Sequence, residues 1–391
     1  MALRYIDSLD LAGTRTFIRA DFNVPLKNGA IADATRIDAA LPTIQWAIAQ
    51  GAHCILASHL GRPKGGPDPK LSLKPVAEYL AEALHLKGRL APDCVGPEVE
   101  KLSRSLDRKE VLLLENVRFH AEEEKNDPAF AKQLAALCDV YVNDAFGAAH
   151  RAHASTEGMA RLVPVRAAGF LMKKEVEALS LITKDPQRPL VAILGGAKVS
   201  DKIKIIEHLV TKVDTLLIGG AMAYTFLRAA GKTIGDSLVE EDRIETARTV
   251  VARAKERGVS LRVPIDHVVT TALDGSAPTE VVVEIPAGKK GVDIGPATTA
   301  LFRTDIAKAK TVFWNGPMGI FEVAAFSAGT VAIAEAMAES GAVTVVGGGD
   351  SIAALARSGR SDDITHISTG GGASLEFLEG RELPGLAVLE Q

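Results

Sequence analysis

The stretch LVAILGGAKVSDKI, residues 190–203, joins an apolar run to a glycine turn and then to the start of a helical pattern. An apolar run without polar alternation is typical of a parallel strand that is buried on both faces. The glycines allow the tight backbone turn by which such a strand leads into a helix. The stretch therefore predicts one strand–turn–helix unit of an α/β sheet.

The same alternation extends in both directions from this stretch. Short β-branched or apolar runs predict strands at residues 16–20, 53–58, 111–114, 140–143, 190–194, 215–218, 261–264, 311–314, 343–346 and 365–368. Amphipathic stretches predict helices at residues 36–50, 73–85, 200–211, 242–257 and 327–339. Such alternation favours an α/β fold with parallel sheets. Residues 267–285 depart from it, because they have the pattern of two strands around the turn signal Asp274-Gly275.

The length of the chain predicts two domains. Its 391 residues exceed what a single hydrophobic core usually organises. A helical pattern at residues 172–183 precedes a turn-rich stretch at 184–189, so we expect the boundary there. We predict a first domain at residues 1–170, a connecting helix and hinge at 171–189, a second domain at 190–370 and a final segment at 371–391.

The composition excludes several classes of protein. The formal net charge of −4 gives no broad basic surface for nucleic acid or an anionic membrane. Charged residues interrupt the N-terminal stretch from Arg4 onward, and no apolar run has the length of a membrane span. An odd number of cysteines without a C-x-x-C pair indicates buried thiols in a reducing compartment, and neither a disulfide framework nor a zinc site. The cysteines are Cys54, Cys94 and Cys138. We therefore expect a cytoplasmic protein.

Three glycine-rich turns in the second half each follow a predicted strand and precede a helix. They lie at residues 195–196, 347–349 and 370–372. Turn geometry alone would explain one of them, but three at the carboxyl ends of parallel strands indicate a phosphate site. A P-loop is absent, because Phe226 stands where the first glycine should precede Gly231-Lys232-Thr233. The G-x-G-x-x-G pattern of dinucleotide-binding folds is also absent from the three turns.

Charged residues next to these turns are candidates for phosphate and metal binding. Lys198 and Lys202 are four residues apart at a predicted helix start, so we expect them on one face. Lysines are unfavourable there unless they meet phosphates, although a solvated face would also explain them. Asp350 occupies an expected N-cap position, where it either caps the helix or holds Mg²⁺. Glu322 follows a strand end with Gly/Pro-rich turn residues at 315–319.

The first half places basic residues at predicted strand ends. These residues are Arg19, Arg36, His59, Arg62, Arg118, His150, Arg151 and His153. Guanidinium groups suit phosphate and carboxylate oxygens, so the set predicts an anion site, although scattered surface arginines remain the alternative for any single member. A metal at His150 and His153 is disfavoured, because no Cys or carboxylate lies at ligand spacing in the sequence.

Eight runs of the sequence resemble the phosphoglycerate kinase family, in family order and over essentially the full length. The runs are RADFNVP (19–25), SHLGRP (58–63), LLLENVRF (112–119), NDAFGAAHRAHAS (143–155), LGGAKVSDKI (194–203), WNGPMGIFE (314–322), VGGGDS (346–351) and STGGGASLEFLEG (368–380). The resemblance implies two Rossmann-like α/β domains joined by a hinge, with the final segment returning to the first domain. It also implies a cytoplasmic, monomeric enzyme that transfers a phosphoryl group between 1,3-bisphosphoglycerate and ADP, giving 3-phosphoglycerate and ATP. Mg²⁺ would accompany the nucleotide, with no organic cofactor.

The resemblance assigns roles to individual residues. The substrate-binding set is Asp21, Phe22, Asn23, Arg36, His59, Leu60, Gly61, Arg62, Arg118 and Arg151. The nucleotide-binding set is Gly195, Gly196, Lys202, Gly219, Gly220, Asn315, Pro317, Glu322, Gly348, Gly349, Asp350 and Ser351, with Asp350 also the metal ligand. The catalytic set is Arg36, Lys198, Gly371 and Gly372. Two positions depart from the family pattern, since Ser351 and Ala148 stand where threonine is usual.

Two alternatives from other classes were weighed against this assignment. Another acyl-phosphate kinase, acting on acetate or aspartate, would lack the SHLGRP and HRAH runs of the first half. A catalytically silent binding relative would have lost Arg36, Lys198 or Asp350, and all three are present. A carboxylate nucleophile with a reference pKa of about 3.5–4 is ionised at neutral pH and needs no general base. The absence of a Ser/His/Asp signature agrees with such a nucleophile.

Overall fold

The computed structural model describes residues 3–107, 110–184 and 186–390. These residues form two compact units. Unit 1 is Met1–Val176 together with Glu382–Gln391, and unit 2 is Glu177–Arg381. Asp185, which falls in the predicted hinge, lies outside the described residues.

Unit 1 is organised around a six-stranded sheet with the order β5-β6-β4-β1-β7-β8, in which every neighbouring pair is parallel. A separate antiparallel pair, β2 and β3, lies outside it. The strands are β1 (Arg15–Arg19), β2 (Leu26–Lys27), β3 (Ala30–Ile31), β4 (His53–Ala57), β5 (Lys87–Leu90), β6 (Glu110–Leu113), β7 (Val140–Asn143) and β8 (Val165–Ala168).

The helices of unit 1 connect these strands. They are α1 (Thr35–Ala49), α2 (Lys74–Leu84), α3 (Pro97–Arg104), α4 (Ala121–Glu124), α5 (Pro128–Ala135), α6 (Met159–Leu162) and α7 (Phe170–Thr183). A 3₁₀ turn at Val117–Phe119 follows β6. Helix α7 continues past Val176 into unit 2.

The first turn of α7 is held by two polar side chains. Thr43 Oγ1 accepts a hydrogen bond from the Phe170 N–H at 2.8 Å, and Asp144 Oδ1 accepts one from the Met172 N–H at 3.0 Å. Asp144 is fully buried. Burial raises the pKa of Asp144 to about 7, although the backbone N–H of Met172 favours its charged form.

Unit 2 has a second six-stranded parallel sheet, of order β11-β10-β9-β15-β16-β17. An antiparallel three-stranded sheet, β13-β12-β14, accompanies it. The strands are β9 (Leu190–Leu194), β10 (Thr215–Ile218), β11 (Ser260–Arg262), β12 (His267–Thr270), β13 (Glu280–Val282), β14 (Lys290–Ile294), β15 (Thr311–Asn315), β16 (Val343–Gly347) and β17 (His366–Ser368). The predicted two strands around Asp274-Gly275 correspond to β12 and β13 and are confirmed.

The remaining helices follow the same alternation. They are α8 (Ile203–Leu209), α9 (Met222–Ala229), α10 (Ile244–Glu256), α11 (Pro296–Lys308), α12 (Ala328–Glu339), α13 (Gly349–Ser358), α14 (Gly372–Leu378) and α15 (Pro384–Ala387). Helix α15 belongs to unit 1, where Asn143 Nδ2 donates to the Gly385 carbonyl at 2.9 Å.

The central strands of both sheets are buried, as the apolar runs predicted. Every residue of β9, β15 and β7 is buried, so these strands lie inside their units with both faces covered. The α/β fold with parallel sheets is therefore confirmed. All three cysteines are buried free thiols, as predicted. No helix in the described part of the chain has the length and apolarity that crossing a bilayer requires.

Candidate active site

The carboxyl ends of β1, β4 and β6 bring the predicted anion-binding residues of unit 1 to one edge of the sheet. Asp21 and Asn23 follow β1, His59 to Arg62 follow β4, and Arg118 lies in the 3₁₀ turn after β6. Hydrogen bonds join these loops directly. Gly61 donates its N–H to Asn23 Oδ1 at 2.8 Å, and Arg118 Nη1 donates to the Gly61 carbonyl at 3.0 Å. The sequence-predicted residues of these three loops are therefore neighbours.

Asp21 pairs with the arginine that begins the next helix. Arg36 Nη1 lies 3.0 Å from Asp21 Oδ2, and the Arg36 side chain is still 37% exposed. Burial opposes ionisation of Asp21, but the positive charges of Arg36 and Arg19 hold its pKa below the usual value. Burial also lowers the pKa of His59 well below its usual value, so the His59 ring is neutral near pH 7 and the arginines are the charges that keep Asp21 ionised.

Arg62 and Arg151 present guanidinium groups to solvent. Both residues are exposed. Within the described residues, Arg62 has no hydrogen bond or ion pair, and Arg151 Nε donates only to the neighbouring His150 Nε2, at 3.2 Å. Burial, with Arg19 nearby, lowers the pKa of Arg118 from its usual value. Arg118 Nε also lies 3.3 Å from Glu124 Oε1. An anion at this edge would therefore meet two guanidinium groups, those of Arg62 and Arg151, that no carboxylate of the described residues neutralises.

Phe22 and Leu60, predicted as substrate-binding residues, lie in the hydrophobic core of unit 1. Their backbone groups are already used. The Phe22 N–H donates to Ser58 Oγ at 2.7 Å, and the Leu60 carbonyl accepts from Asn116 Nδ2 at 2.8 Å. These two residues fix the shape of the loops, and neither side chain reaches the polar edge.

Arg19, which the sequence analysis grouped with the anion-binding residues, lies in a buried polar group beneath this edge. The sequence analysis missed the other members of this group. Arg19 is fully buried, and it donates to Ser155 Oγ at 2.7 Å and approaches His59 Nδ1 at 3.2 Å. Ser155 also donates from its N–H and its hydroxyl to Glu123, at 2.8 and 2.5 Å. Burial raises the pKa of Glu123. Glu123 lies four residues after the end of the LLLENVRF run, but nothing in the sequence shows that its carboxylate turns inward.

His153 is also part of the buried group under the anion site. Its Nδ1 lies 3.9 Å from Glu123 Oε1. Burial, reinforced by Arg118, lowers the pKa of His153 to about 4. The imidazole is therefore neutral at physiological pH and adds no charge to the anion site.

In unit 2, the glycine turns after β9 and β10 pack against the turn after β15. Gly196 donates its N–H to the Pro317 carbonyl and Gly220 to the Met318 carbonyl, each at 3.0 Å. Gly220 has φ +66°, a conformation that favours glycine, and a Cβ there would lie 2.5 Å from the Gly196 backbone. The glycines therefore allow three loops to converge so closely that no side chain fits between them.

Lys202 turns inward to the end of β15. Its Nζ donates to the Asn315 carbonyl at 3.0 Å and contacts Asn315 Oδ1. Burial lowers the pKa of Lys202 to about 8, against the fields of Asp350 and Asp201, which raise it. The expected shared helix face with Lys198 is wrong, because α8 begins only at Ile203 with Lys202 as its N-cap. Lys198 lies in the preceding loop and is exposed.

The turn after β16 corrects the predicted role of Asp350 as an N-cap. The N-cap of α13 is Gly348, with φ +92°, and no side chain caps the helix. Asp350 is exposed in the first turn of α13. Ser351 is buried beside it, and its Oγ accepts a hydrogen bond from the Gly316 N–H at 2.5 Å. The carboxylate of Asp350 is therefore not needed for the helix terminus.

A cavity of about 470 Å³ opens beside these turns. Its walls include the predicted Gly196, Gly220, Pro317, Glu322 and Asp350. They also include residues that sequence reasoning missed, namely Ala221, Tyr224, Asp236, Leu238, Leu273, Lys290, Val292, Met318 and Ile320. Apolar walls with a few charged groups at one side suit a ring system that ends in phosphates.

The third glycine turn, residues 370–372, follows β17. Gly371 has φ +55° and is the N-cap of α14. Ser368 Oγ and Ser374 Oγ lie 2.6 Å apart beneath the turn. The turn is thus held in place from below while the backbone at Gly371 takes a conformation that few other residues adopt.

Comparison with known proteins identifies close similarities over the whole chain. A family model described as "Phosphoglycerate kinase" matches residues 6–381. Curated proteins named phosphoglycerate kinase from Solibacter usitatus (strain Ellin6076) and Anaeromyxobacter sp. (strain K) are each 60% identical over 396 residues, covering 100% of both chains. The solved structure of phosphoglycerate kinase from Coxiella burnetii superimposes with a TM-score of 0.93 at 43% identity, covering 99% of each chain. That from Pyrococcus horikoshii OT3 gives 0.83 at 34% identity, covering 99% of this chain and 98% of the other.

Proposed function

Because the chain belongs to the phosphoglycerate kinase family, it is a phosphotransferase with a carboxyl group as acceptor, and we propose how its residues divide that reaction. The reaction is the reversible transfer of a phosphoryl group between 1,3-bisphosphoglycerate and ADP, which gives 3-phosphoglycerate and ATP. Neither another acyl-phosphate kinase nor a silent relative is favoured by the comparisons.

Unit 1 binds 3-phosphoglycerate in this proposal. The supporting observation is the edge at which Arg62 and Arg151 are exposed and Arg118 is held by the Gly61 carbonyl. Guanidinium groups bind phosphate in bidentate fashion, so these three residues bind the 3-phosphate. Asp21 accepts from Arg36 and sets the direction of its side chain, while Asn23 and His59 complete the site around the glycerate.

Unit 2 binds the nucleotide in this proposal. The cavity of about 470 Å³ accepts the base and ribose, since its walls are mainly apolar. Lys202, with Asn315, and the backbone at residues 195–196, 219–220 and 348–349 bind the phosphates. The N–H groups of the glycines at 195–196 and 219–220 already donate to backbone carbonyls, so these glycines act by letting the phosphates approach the backbone closely. The turn at 348–349 begins α13 and presents the N–H groups of a helix start to the anion.

Catalysis rests on positioning and on positive charge. The acceptor carboxylate is ionised at neutral pH, so no side chain has to remove a proton. Arg36 and Lys198 neutralise charge on the phosphoryl group in transit, and the backbone N–H groups of Gly371 and Gly372 donate to its oxygens. The exposure of Lys198 and the partial exposure of Arg36 support this assignment, because both cations are accessible to ligand.

Asp350 fits the Mg²⁺ that accompanies the nucleotide. The carboxylate is exposed on the cavity wall and makes no cap hydrogen bond, so its oxygens are open to a hard cation. When bound, Mg²⁺ would neutralise the nucleotide phosphates. Asp350 would hold it, and Lys202 would supply the neighbouring positive charge.

We further propose hinge bending, with α7 and the residues after it as the hinge. The proposed acceptor residues all belong to unit 1 and the proposed nucleotide residues to unit 2. In-line transfer requires reacting atoms about 3–3.5 Å apart. Each ligand alone contacts one unit and should compact the molecule partly, whereas both together should compact it fully. Small-angle scattering of the apo, singly liganded and doubly liganded protein checks this, and an unchanged radius of gyration in all states would contradict it.

The proposal that the protein is a monomer in the cytoplasm rests on the resemblance to the family. Sedimentation equilibrium tests whether the chain is a monomer. The activity itself is tested by a coupled assay with 3-phosphoglycerate and MgATP, in which acetate and aspartate serve as acceptor controls. Turnover with acetate or aspartate at a rate equal to that with 3-phosphoglycerate would refute the assigned acceptor.

A further inference from the structure

In addition to the nucleotide cavity of unit 2, there is a large cavity in unit 1. The function proposed above places neither substrate in it. Its volume is about 550 Å³. None of the residues assigned to 3-phosphoglycerate or to the nucleotide lines it. Its walls are formed by Leu26, Gly29, Pro67, Asp68, Pro69, Lys70, Ser72, Lys74, Pro75, Pro92, Asp93, Glu115, Phe119 and His120. Asp93 and His120 give one part of the wall the chemistry of a metal site.

Asp93 and His120 meet Cys94 at this wall. His120 Nε2 lies 2.7 Å from Asp93 Oδ1, and the Cys94 N–H donates to the same oxygen at 2.6 Å. One ligand atom from each of the three residues falls within a group whose members are all within 4.8 Å of one another. Among the described residues, no other group of three or more His, Cys, Asp and Glu side chains has such spacing.

The three side chains have a purely structural explanation, which is that they join two loops. Asp93 Oδ1 accepts the Cys94 N–H at 2.6 Å in addition to the ring of His120. That explanation accounts for the carboxylate and the imidazole. A buried thiol can also serve as a small apolar side chain. The observation that points to a metal is that a sulfur, a nitrogen and an oxygen ligand atom lie together at one point.

We propose that Asp93, Cys94 and His120 form a binding site for a thiophilic divalent transition metal, with Zn²⁺ as the ion that the donor set fits best. The site has one sulfur, one nitrogen and one oxygen ligand. Three protein ligands and an open fourth position are the pattern of zinc sites that exchange a water or a small ligand. The open position faces the cavity, because Asp93 and His120 line it.

The spacing can close around the ion. Tetrahedral zinc with bonds of about 2.0–2.3 Å places its ligand atoms about 3.3–3.6 Å apart. The Asp93–His120 contact of 2.7 Å must therefore lengthen by about 0.6 Å, and a pair near the 4.8 Å limit would shorten by about 1 Å. Cys94 is fully buried and fixed, whereas the side chains of Asp93 and His120 are 47% and 29% exposed and have room to move.

This site is chemically distinct from the proposed Mg²⁺ position at Asp350. Mg²⁺ prefers oxygen ligands and a near-octahedral shell, so a thiol and an imidazole exclude it. Zn²⁺ and Co²⁺ accept nitrogen and sulfur. The Asp93 site should therefore bind Zn²⁺ or Co²⁺ in the presence of excess Mg²⁺.

Cobalt titration of the chelator-treated full chain tests the proposal. Co²⁺ bound through a thiolate gives a sulfur-to-metal charge-transfer band, which a carboxylate site such as Asp350 does not produce. We expect the band to saturate at one equivalent, to persist in excess Mg²⁺ and to disappear on addition of Zn²⁺. Cys94→Ser should abolish it, and His120→Gln should weaken Co²⁺ binding by more than about tenfold, since even outer-shell partners of metal ligands contribute that much.

Cys138→Ser is the matched control. Cys138 is also a buried free thiol next to an aspartate, Asp139, but it has no imidazole at ligand spacing. It should keep the full band. Near-UV circular dichroism verifies that each variant folds, and if Cys94→Ser does not fold, His120→Gln decides because its side chain is partly exposed. Absence of the band in the wild-type chain, or an unchanged band in a folded Cys94→Ser or His120→Gln variant, overturns the proposal.

Discussion

Nucleotide affinity should fall as the pH rises through the range in which Lys202 loses its proton. Burial lowers the pKa of Lys202 to about 8. A bound nucleotide brings phosphates to the ammonium group, which favours the charged form. Nucleotide binding therefore requires a protonated Lys202. Above the Lys202 pKa, part of the binding free energy is used to protonate this side chain, so the affinity falls.

The magnitude follows from the pKa. With a value of about 8, roughly nine-tenths of the Lys202 side chains are protonated near pH 7 and roughly one-tenth near pH 9. If the protonated form alone binds, the affinity for MgADP falls about tenfold between these pH values, or about 1.4 kcal/mol.

Isothermal titration calorimetry at several pH values, in buffers of different ionisation enthalpy, measures both the affinity and the protons taken up. Lys202→Met should bind weakly at every pH and show no proton uptake. Lys198→Met is the matched control, and it should lose transfer rate but keep the pH dependence of binding, because Lys202 is left in place. An affinity that is independent of pH in the wild type, or an unchanged slope in Lys202→Met, would refute the reasoning.

Three further predictions concern the acceptor site, the metal and stability. Arg36→Ala should lower kcat by about 10²–10³-fold, the usual effect of losing one charge contact in the transition state, while calorimetry shows unchanged ADP affinity; collapse of ADP affinity with kcat intact would contradict the assignment. Asp350→Asn should raise the Mg²⁺ concentration needed for half-maximal activity with little change in Tm, because Gly348 and not Asp350 is the N-cap; wild-type Mg²⁺ dependence would exclude Asp350 as the metal ligand. Folded Asp144, with a pKa of about 7, keeps a proton that the unfolded chain releases above about pH 4, so its contribution to the unfolding free energy falls as pH rises from about 4 to about 7, by up to about 4 kcal/mol. Urea unfolding of the wild type and of Asp144→Asn at both ends of this range gives the free energy of unfolding of each protein. The difference between the two free energies should narrow or reverse at the higher pH, and parallel pH profiles of the two proteins would be inconsistent with the buried carboxyl.

The parallel sheets were largely predictable because their central strands are continuous apolar runs. Strands β7, β9 and β10 have the predicted bounds. Strand β5, Lys87–Leu90, was missed because it lies at a sheet edge and its two first residues, Lys87 and Gly88, are exposed. An edge strand with one open side has no need of an apolar run, so its sequence has no strand signal.

The site residues that belong to sequence motifs could be predicted. The site residues that are positioned only by tertiary packing could not. The convergence of the glycine turns follows from parallel topology. The inward turn of Lys202 does not, because it depends on Asn315, which is remote in sequence. Tyr224 and Leu273 line the nucleotide cavity from a helix and from the turn region after β12, and apolar residues in such elements are indistinguishable in sequence from ordinary core.

Unit 2 is an insertion within unit 1, and this has a consequence for the order in which the protein can fold during synthesis. Residues 382–390 leave the ribosome only after all of unit 2 has been made. Yet unit 1 uses them, since Leu389 is fully buried, Gly385 donates to the Ala149 carbonyl at 2.9 Å, and Arg166 Nε donates to the Val388 carbonyl at 2.7 Å. Domains usually fold as they emerge, the N-terminal one first. Here the ribosome completes unit 2 before it releases α15, so unit 1 cannot yet form its contacts with this helix.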